Sequence, residues 1–84
     1  MSYYLFTFHS THDAIASKQY LECRVSTCIM PTLREISNSC GISIRVKEED
    51  FKKASDLMKQ GVIKKYNVYC IQDKQVTCIE KNDL

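Results

Sequence analysis

Three features of this sequence predict an α+β fold. Four segments read as strands, the clearest of them by period-two alternation of apolar residues, two others carry apolar residues at helical spacing, and the two kinds of segment interleave along the chain. Eighty-four residues, 44% of them hydrophobic, supply one modest core. The expectation is a single domain over 1–84, with its core in about 3–71 and a C-terminal extension at 72–84.

The first strand is Ser2 to Phe8, where Tyr4, Phe6 and Phe8 alternate with Tyr3, Leu5 and Thr7. A helix follows, with Ser10 or Thr11 placed to cap it and Asp13 in its first turn, where a negative charge suits the helix dipole. Ala16, Ser17, Tyr20 and Leu21 fall on one face of that helix, and Lys18, Gln19 and Glu22 on the other. Val25 to Met30 is β-branched and apolar and stops at Pro31. After a polar loop from Thr32 to Ser39, Gly41 to Val46 is the clearest alternation in the chain, with Ile42, Ile44 and Val46 opposed to Ser43 and Arg45. Glu48, Glu49 and Asp50 open a second helix carrying Phe51, Ala54, Ser55 and Met58 at helical spacing, and Gly61 closes it. Lys65 to Ile71 is a fourth strand. Past the turn "QDKQ", Val76 to Ile79 has room for a short fifth strand, and "EKNDL" reads as frayed.

The resulting order, βαββαβ, is that of the ferredoxin-like sandwich, a four-stranded antiparallel sheet with both helices on one face. In that topology the first and third strands are central, antiparallel neighbours. His9, at the end of the first, is then expected beside Gly41, at the start of the third. The connection "QGVIKK" arrives at the same edge.

Composition removes several function classes. A net charge of +2, with no basic cluster interleaved with aromatics, gives no support for nucleic acid. The apolar run Tyr3 to Phe8 is too short to span a membrane and lacks the basic flank and cleavage site of a signal peptide, so a cytoplasmic protein is expected. Five cysteines at 23, 28, 40, 70 and 78 contain no C-x-x-C pair, which favours free thiols over a disulfide framework or a zinc ribbon.

Cys40 is the thiol that packing does not explain. It ends a polar loop directly before Gly41 and a strand, where Cys23, Cys28 and Cys70 read as small buried residues and Cys78 as an exposed edge residue. Helix-end amides and the lysines of "QGVIKK" converge on its predicted position, and Arg34 and Arg45 add positive charge, Arg45 from the sheet face away from Ile42 and Ile44; each stabilises a thiolate. Ser37, Asn38 and Ser39 offer donors for a sulfur anion. Gly41 permits an unusual backbone angle and close approach of a partner. His9 and His12 form H-x-x-H, but they straddle a strand end and a helix cap, so no metal site is expected and His9 is read as lining the pocket.

The strings "YYLFTFHSTHDA" and "PTLREISNSCGISIRV" resemble a small bacterial family of selenium/sulfur carrier-like proteins over roughly residues 3–71. One departure is Leu33, where the family pattern is expected to hold a second proline. The resemblance implies that Cys40 holds sulfur or selenium as a persulfide or perselenide; Gly41, Ser39, Ser37, Arg34, His9 and His12 are the supporting residues expected from the reading of the chain above. It implies a chalcogen donor and an acceptor protein as partners and no cofactor beyond the covalent adduct. It also implies no independent turnover; the edge strands leave the chain open to being a monomer or a homodimer. Two other readings stand beside it: a non-catalytic ferredoxin-like binding module that uses its edge strands, and a thiol enzyme with Cys40 as nucleophile and His9 or His12 as base.

Overall fold

The computed structural model describes residues 2–8, 10–32, 41–61, 63 and 65–81, the last by its backbone alone. The elements are β1 (Ser2–Phe8), α1 (Thr11–Glu22), β2 (Thr27–Pro31), β3 (Ile42–Lys47), a 3-10 turn (Glu48–Asp50), α2 (Phe51–Gln60), β4 (Tyr66–Gln72) and β5 (Gln75–Lys81). The strands form one antiparallel sheet in the order β2-β3-β1-β4-β5. It is an α+β fold with a five-stranded sheet and two helices.

The pleat explains the core. Phe6 pairs with Ile44 on one side and Val68 on the other, so these side chains share one face of the sheet. Leu21 of α1 and Ala54 and Met58 of α2 join them, with Val46 and Tyr66, in the main apolar cluster. Both helices therefore pack on this face. The alternate residues of β1 and β4 form a second, smaller cluster of Leu5, Tyr69 and Ile71, flanked by Tyr3, Met30 and Val76. The central strand is apolar on both faces because both carry a cluster.

Local chemistry sets the helix ends. Ser10 caps α1, its hydroxyl accepting the Asp13 amide at 3.1 Å. Ala14, Ser17 and Leu21 are the buried residues of α1, while Ala16 and Tyr20 are half-buried. The expected inward face is thus rotated slightly toward Ala14. Gly61 ends α2 with φ −79 and ψ 175, an extended conformation open to any residue, so the helix stop does not depend on glycine here.

Two strand boundaries differ from expectation. β2 starts at Thr27 and includes Pro31, because it lies at the sheet edge and bonds only to β3. β5 is longer than Val76 to Ile79, running to Lys81 along β4, and it completes a five-stranded sheet where four strands and a short addition were expected. Its register shifts between Val68 and Tyr69, whose partners are Glu80 and Cys78. Ile79 is therefore the extra, bulged residue, and it is 50% exposed.

The β4–β5 hairpin turns through Asp73 and Lys74, both at positive φ (50 and 71). Two left-handed central residues match the twist of a hairpin, but an L-residue with a Cβ resists the conformation. Lys74→Gly is expected to raise stability by about 0.5–1 kcal/mol, the relief of strain exceeding the added chain entropy. A higher urea midpoint at unchanged slope would show it; an unchanged or lower midpoint would mean that the lysine carries no strain.

Candidate thiol edge

Four segments meet at one edge of the sheet. β1 ends there at Phe8, which pairs with Tyr66 at the start of β4, and Thr7 pairs with Ser43 at the start of β3. α1 begins there three residues after Phe8, bringing first-turn amides that have no intrahelical carbonyl to bond. α2 starts at the opposite edge, where Phe51 stacks on Tyr4 with ring centroids 3.8 Å apart. Gly61 at the end of α2 and Tyr66 at the start of β4 therefore both lie toward the edge where β1 ends.

Thr32 and Gly41, the described residues on either side of the polar loop in sequence, form a bonded neck at this edge. The Thr32 amide donates to the Gly41 carbonyl at 3.0 Å, and the Thr32 and Ser43 hydroxyls are 2.7 Å apart. Ser43 is fully buried, and this partner is what makes its burial tolerable. Composition alone did not reveal the pair, since it joins residues eleven apart across two strands.

Of the expected site residues, the structure describes Gly41 and His12. Cys40, Ser39, Ser37, Arg34 and His9 lie outside the described residues, as do Leu33, Asn38 and Lys64. Gly41 does not have a positive φ, so it is not there for an unusual backbone angle. A Cβ built on it would stand 3.4 Å from Thr32 Oγ1, near ordinary contact. Gly41→Ala is expected to fold with a stability change below about 1 kcal/mol. A larger loss on denaturation would show that the neck cannot yield by a fraction of an ångström. The His12 side chain is 90% exposed, with Nδ1 3.8 Å from Asp13 Oδ1.

Arg45 does not serve this edge. Its guanidinium lies over the Tyr3 ring, 4.4 Å from the centroid, on the sheet face opposite the helices. Lys65, beside the start of β4, is exposed.

The other cysteines need correcting. Cys23 and Cys28 are exposed and Cys70 half-buried, not the small core residues expected; only Cys78 stands as read. Cys23 is the C-cap of α1, where the helix leaves the core. Cys28 sits on edge strand β2 opposite the exposed Arg45, on the face that bears no helix. Cys70 shares the helix-bearing face with its cross-strand partner Tyr4, near the end of β4. Among the described residues, then, at least three thiols are open to solvent, so exposure does not single out a functional one.

Two tyrosines are perturbed. Burial raises the Tyr66 hydroxyl above its ordinary pKa of 10.0, and the Glu80 carboxylate adds to it. Desolvation raises Tyr4 too, followed by the charge and hydrogen bond of Cys70 and then Glu48. A raised tyrosine keeps its proton in the fold after the unfolded chain has lost it. Its stabilising contribution is therefore full below pH about 10 and fades as pH rises from there through the folded pKa. Tyr66→Phe is expected to flatten this alkaline loss in a series of denaturation midpoints; an equally steep loss in the variant would exclude Tyr66 as its source.

Among the described residues no group of three His, Cys, Asp or Glu side chains could hold a metal ion, and no helix is long and apolar enough to cross a membrane. A family model described as "Putative Se/S carrier protein-like" matches residues 3–70, from the start of β1 into β4. No curated protein and no solved structure gives a match.

Proposed function

Because the chain belongs to the Se/S carrier protein-like family, we propose that it carries sulfur or selenium on Cys40 as a persulfide or perselenide and passes it to a partner protein. The family match over residues 3–70 carries this reading, since it spans the segment that holds Cys40. The bonded neck of Thr32, Gly41 and Ser43 supports it. Gly41, which follows Cys40 in sequence, is bonded to Thr32 at the end of the sheet where α1 begins, and the first-turn amides of that helix favour an anion.

The transfer is an exchange at sulfur. The Cys40 thiol gives its proton to solvent, and the thiolate attacks the terminal sulfur of a donor persulfide. A new S–S bond forms on Cys40 as the donor's S–S bond breaks, and the donor leaves as a thiolate. Delivery to an acceptor thiolate repeats the same step. With a donor perselenide the S–Se bonds take these places. No electrons are gained or lost overall.

Within this reading the domain is ferredoxin-like, on the strength of the strand order β2-β3-β1-β4 and of both helices feeding one cluster. The carrier is cytoplasmic and works as a monomer or homodimer without independent turnover, and its partners are a chalcogen donor and an acceptor rather than nucleic acid. A binding module is favoured by one observation: the edge strands β2 and β5 carry the half-exposed Ile29 (46%) and Ile79 (50%).

The test is intact mass spectrometry with peptide mapping after the reduced protein meets a cysteine desulfurase and cysteine. One added sulfur confined to Cys40 is the expected result. Sulfur spread over Cys23, Cys28 and Cys78 according to their exposure, or none, would move the binding module ahead.

A further inference from the structure

The two outer strands of the sheet are not alike. β5 is bulged at Ile79 and ends in Glu80 and Lys81, and bulges and charges are the ordinary means of turning an edge away from other chains. β2 is a regular ladder on β3 without a charged residue from Thr27 to Pro31, and among the described residues no strand pairs with its outer side. The bond from the Thr32 amide to the Gly41 carbonyl fixes which of its groups face outward. Thr32, Met30 and Cys28 turn their backbone groups toward β3, so those of Thr27, Ile29 and Pro31 point away from the sheet. The amide hydrogen that Pro31 lacks is thus one outward donor, and the Thr27 and Ile29 donors remain.

Apolar surface stands on the same flank. Ile29 is 46% exposed and pairs with Ile44, so it lies on the helix-bearing face. On α1, Ala14, Ser17 and Leu21 are buried and Ala16 and Tyr20 face α2, which leaves Ile15, 44% exposed, on the flank away from α2. α1 is the helix that touches β2. Among the described residues, two of the three exposed large apolar side chains therefore border the open edge, and the third is the bulged Ile79.

We propose that β2 is a self-association edge, at which two copies of the chain pair antiparallel about a two-fold axis at Ile29 and join their sheets into one of ten strands. A second copy is the occupant that the strand itself fits. With no charge on it, β2 meets its own image without like charges opposite one another. Centring on Ile29 is the register that opposes all five residues of each strand. Ile29 then exchanges both backbone bonds with the partner's Ile29, and each Thr27 amide donates to the partner's Pro31 carbonyl. The proline costs one bond per copy, at the ends of the ladder where water reaches. Ile15 and Ile29 of both copies fall on one side of the joined sheet. Because the strands run antiparallel, the Thr32–Gly41 necks stand at opposite ends of it, each open to its own donor. The inference rests on the sheet and not on the Cys40 chemistry, so either can fail without the other.

A strand pair this short belongs to the weak end of interfaces, so the full chain is followed by sedimentation equilibrium up to about 1 mM, with a reductant present to keep thiols from linking copies. The mass is expected to rise toward that of a dimer. Over the same range the Ile29 and Thr27 amides should gain about tenfold or more in hydrogen-exchange protection by NMR, while the Cys28 amide, bonded to β3, stays protected throughout. Ile29→Lys, which sets like charges across the axis, is expected to weaken association about tenfold or more, and Ile79→Lys to leave it unchanged. A chain that stays monomeric at the highest concentration, a dimer indifferent to Ile29→Lys or lost in Ile79→Lys, or a dimer whose Ile29 amide exchanges freely would each overturn the proposal. Should Ile29→Lys fail to fold, the amide protection of the wild-type chain decides.

Discussion

Cys40→Ser is expected to reduce sulfur loading from a persulfide donor to background while leaving the circular dichroism spectrum and denaturation midpoint unchanged. The complementary variant, with Cys23, Cys28, Cys70 and Cys78 all serine, is expected to load as fully as the wild-type chain. The pair is informative because Cys23, Cys28 and Cys78 are exposed. If accessibility alone governed reaction, Cys40→Ser would keep most of its loading and the four-serine chain would lose most of its own. Mass spectrometry of the two side by side separates a dedicated thiolate from indiscriminate surface chemistry. Loading retained in Cys40→Ser would end the carrier reading for this residue.

Phe6→Ala is expected to cost about 3–5 kcal/mol. Phe6 is fully buried on the central strand, and its ring lies 6.0 Å from that of Phe51 and 5.8 Å from that of Tyr66. It joins α2 to the sheet and β1 to β4, so little around it can collapse into the cavity. A domain of this size has a total stability of about 4–13 kcal/mol. The variant is therefore expected to lose from about a quarter to all of the stability of the fold, while Ile44→Val in the same cluster costs only about 0.5–1.5 kcal/mol. Urea denaturation measures both, and a loss for Phe6→Ala no larger than that for Ile44→Val would mean that the cluster repacks freely.

The order of elements was legible because each has a local cause. Ser10 caps α1, the alternation of Ile42, Ile44 and Val46 builds β3, and the spacing of Ala54 and Met58 builds α2. The antiparallel sheet followed from that order. What escaped depended on contacts between distant residues. Cys28 was read as buried because its strand is apolar, yet β2 lies at an edge, and edge position is a property of the whole sheet. Ser43 read as an ordinary polar strand residue, since nothing near it in sequence announces the Thr32 hydroxyl. The length of β5 was underestimated because Thr77 and Glu80 dilute its apolar content, while backbone bonding to β4 holds it. At the candidate site the approach of β1, β3, β4 and α1 to one edge was legible from topology. Gly41 was misread, because a glycine before a strand suggests a backbone conformation that it does not adopt.

The position of β1 at the centre of the sheet has a consequence for the chain on the ribosome. β1 is the first of these strands to be synthesised, yet its neighbours are β3 and β4, and Thr7 waits for Asn67 before its second ladder can close. Until β4 has emerged, one side of an aromatic, apolar strand stands unpaired in the nascent chain. Translation speed through residues 48–65, which separate the first partner from the second, thus sets how long that side is open to other chains. Slowing the ribosome there is expected to increase aggregation of the nascent protein without altering the stability of the finished fold.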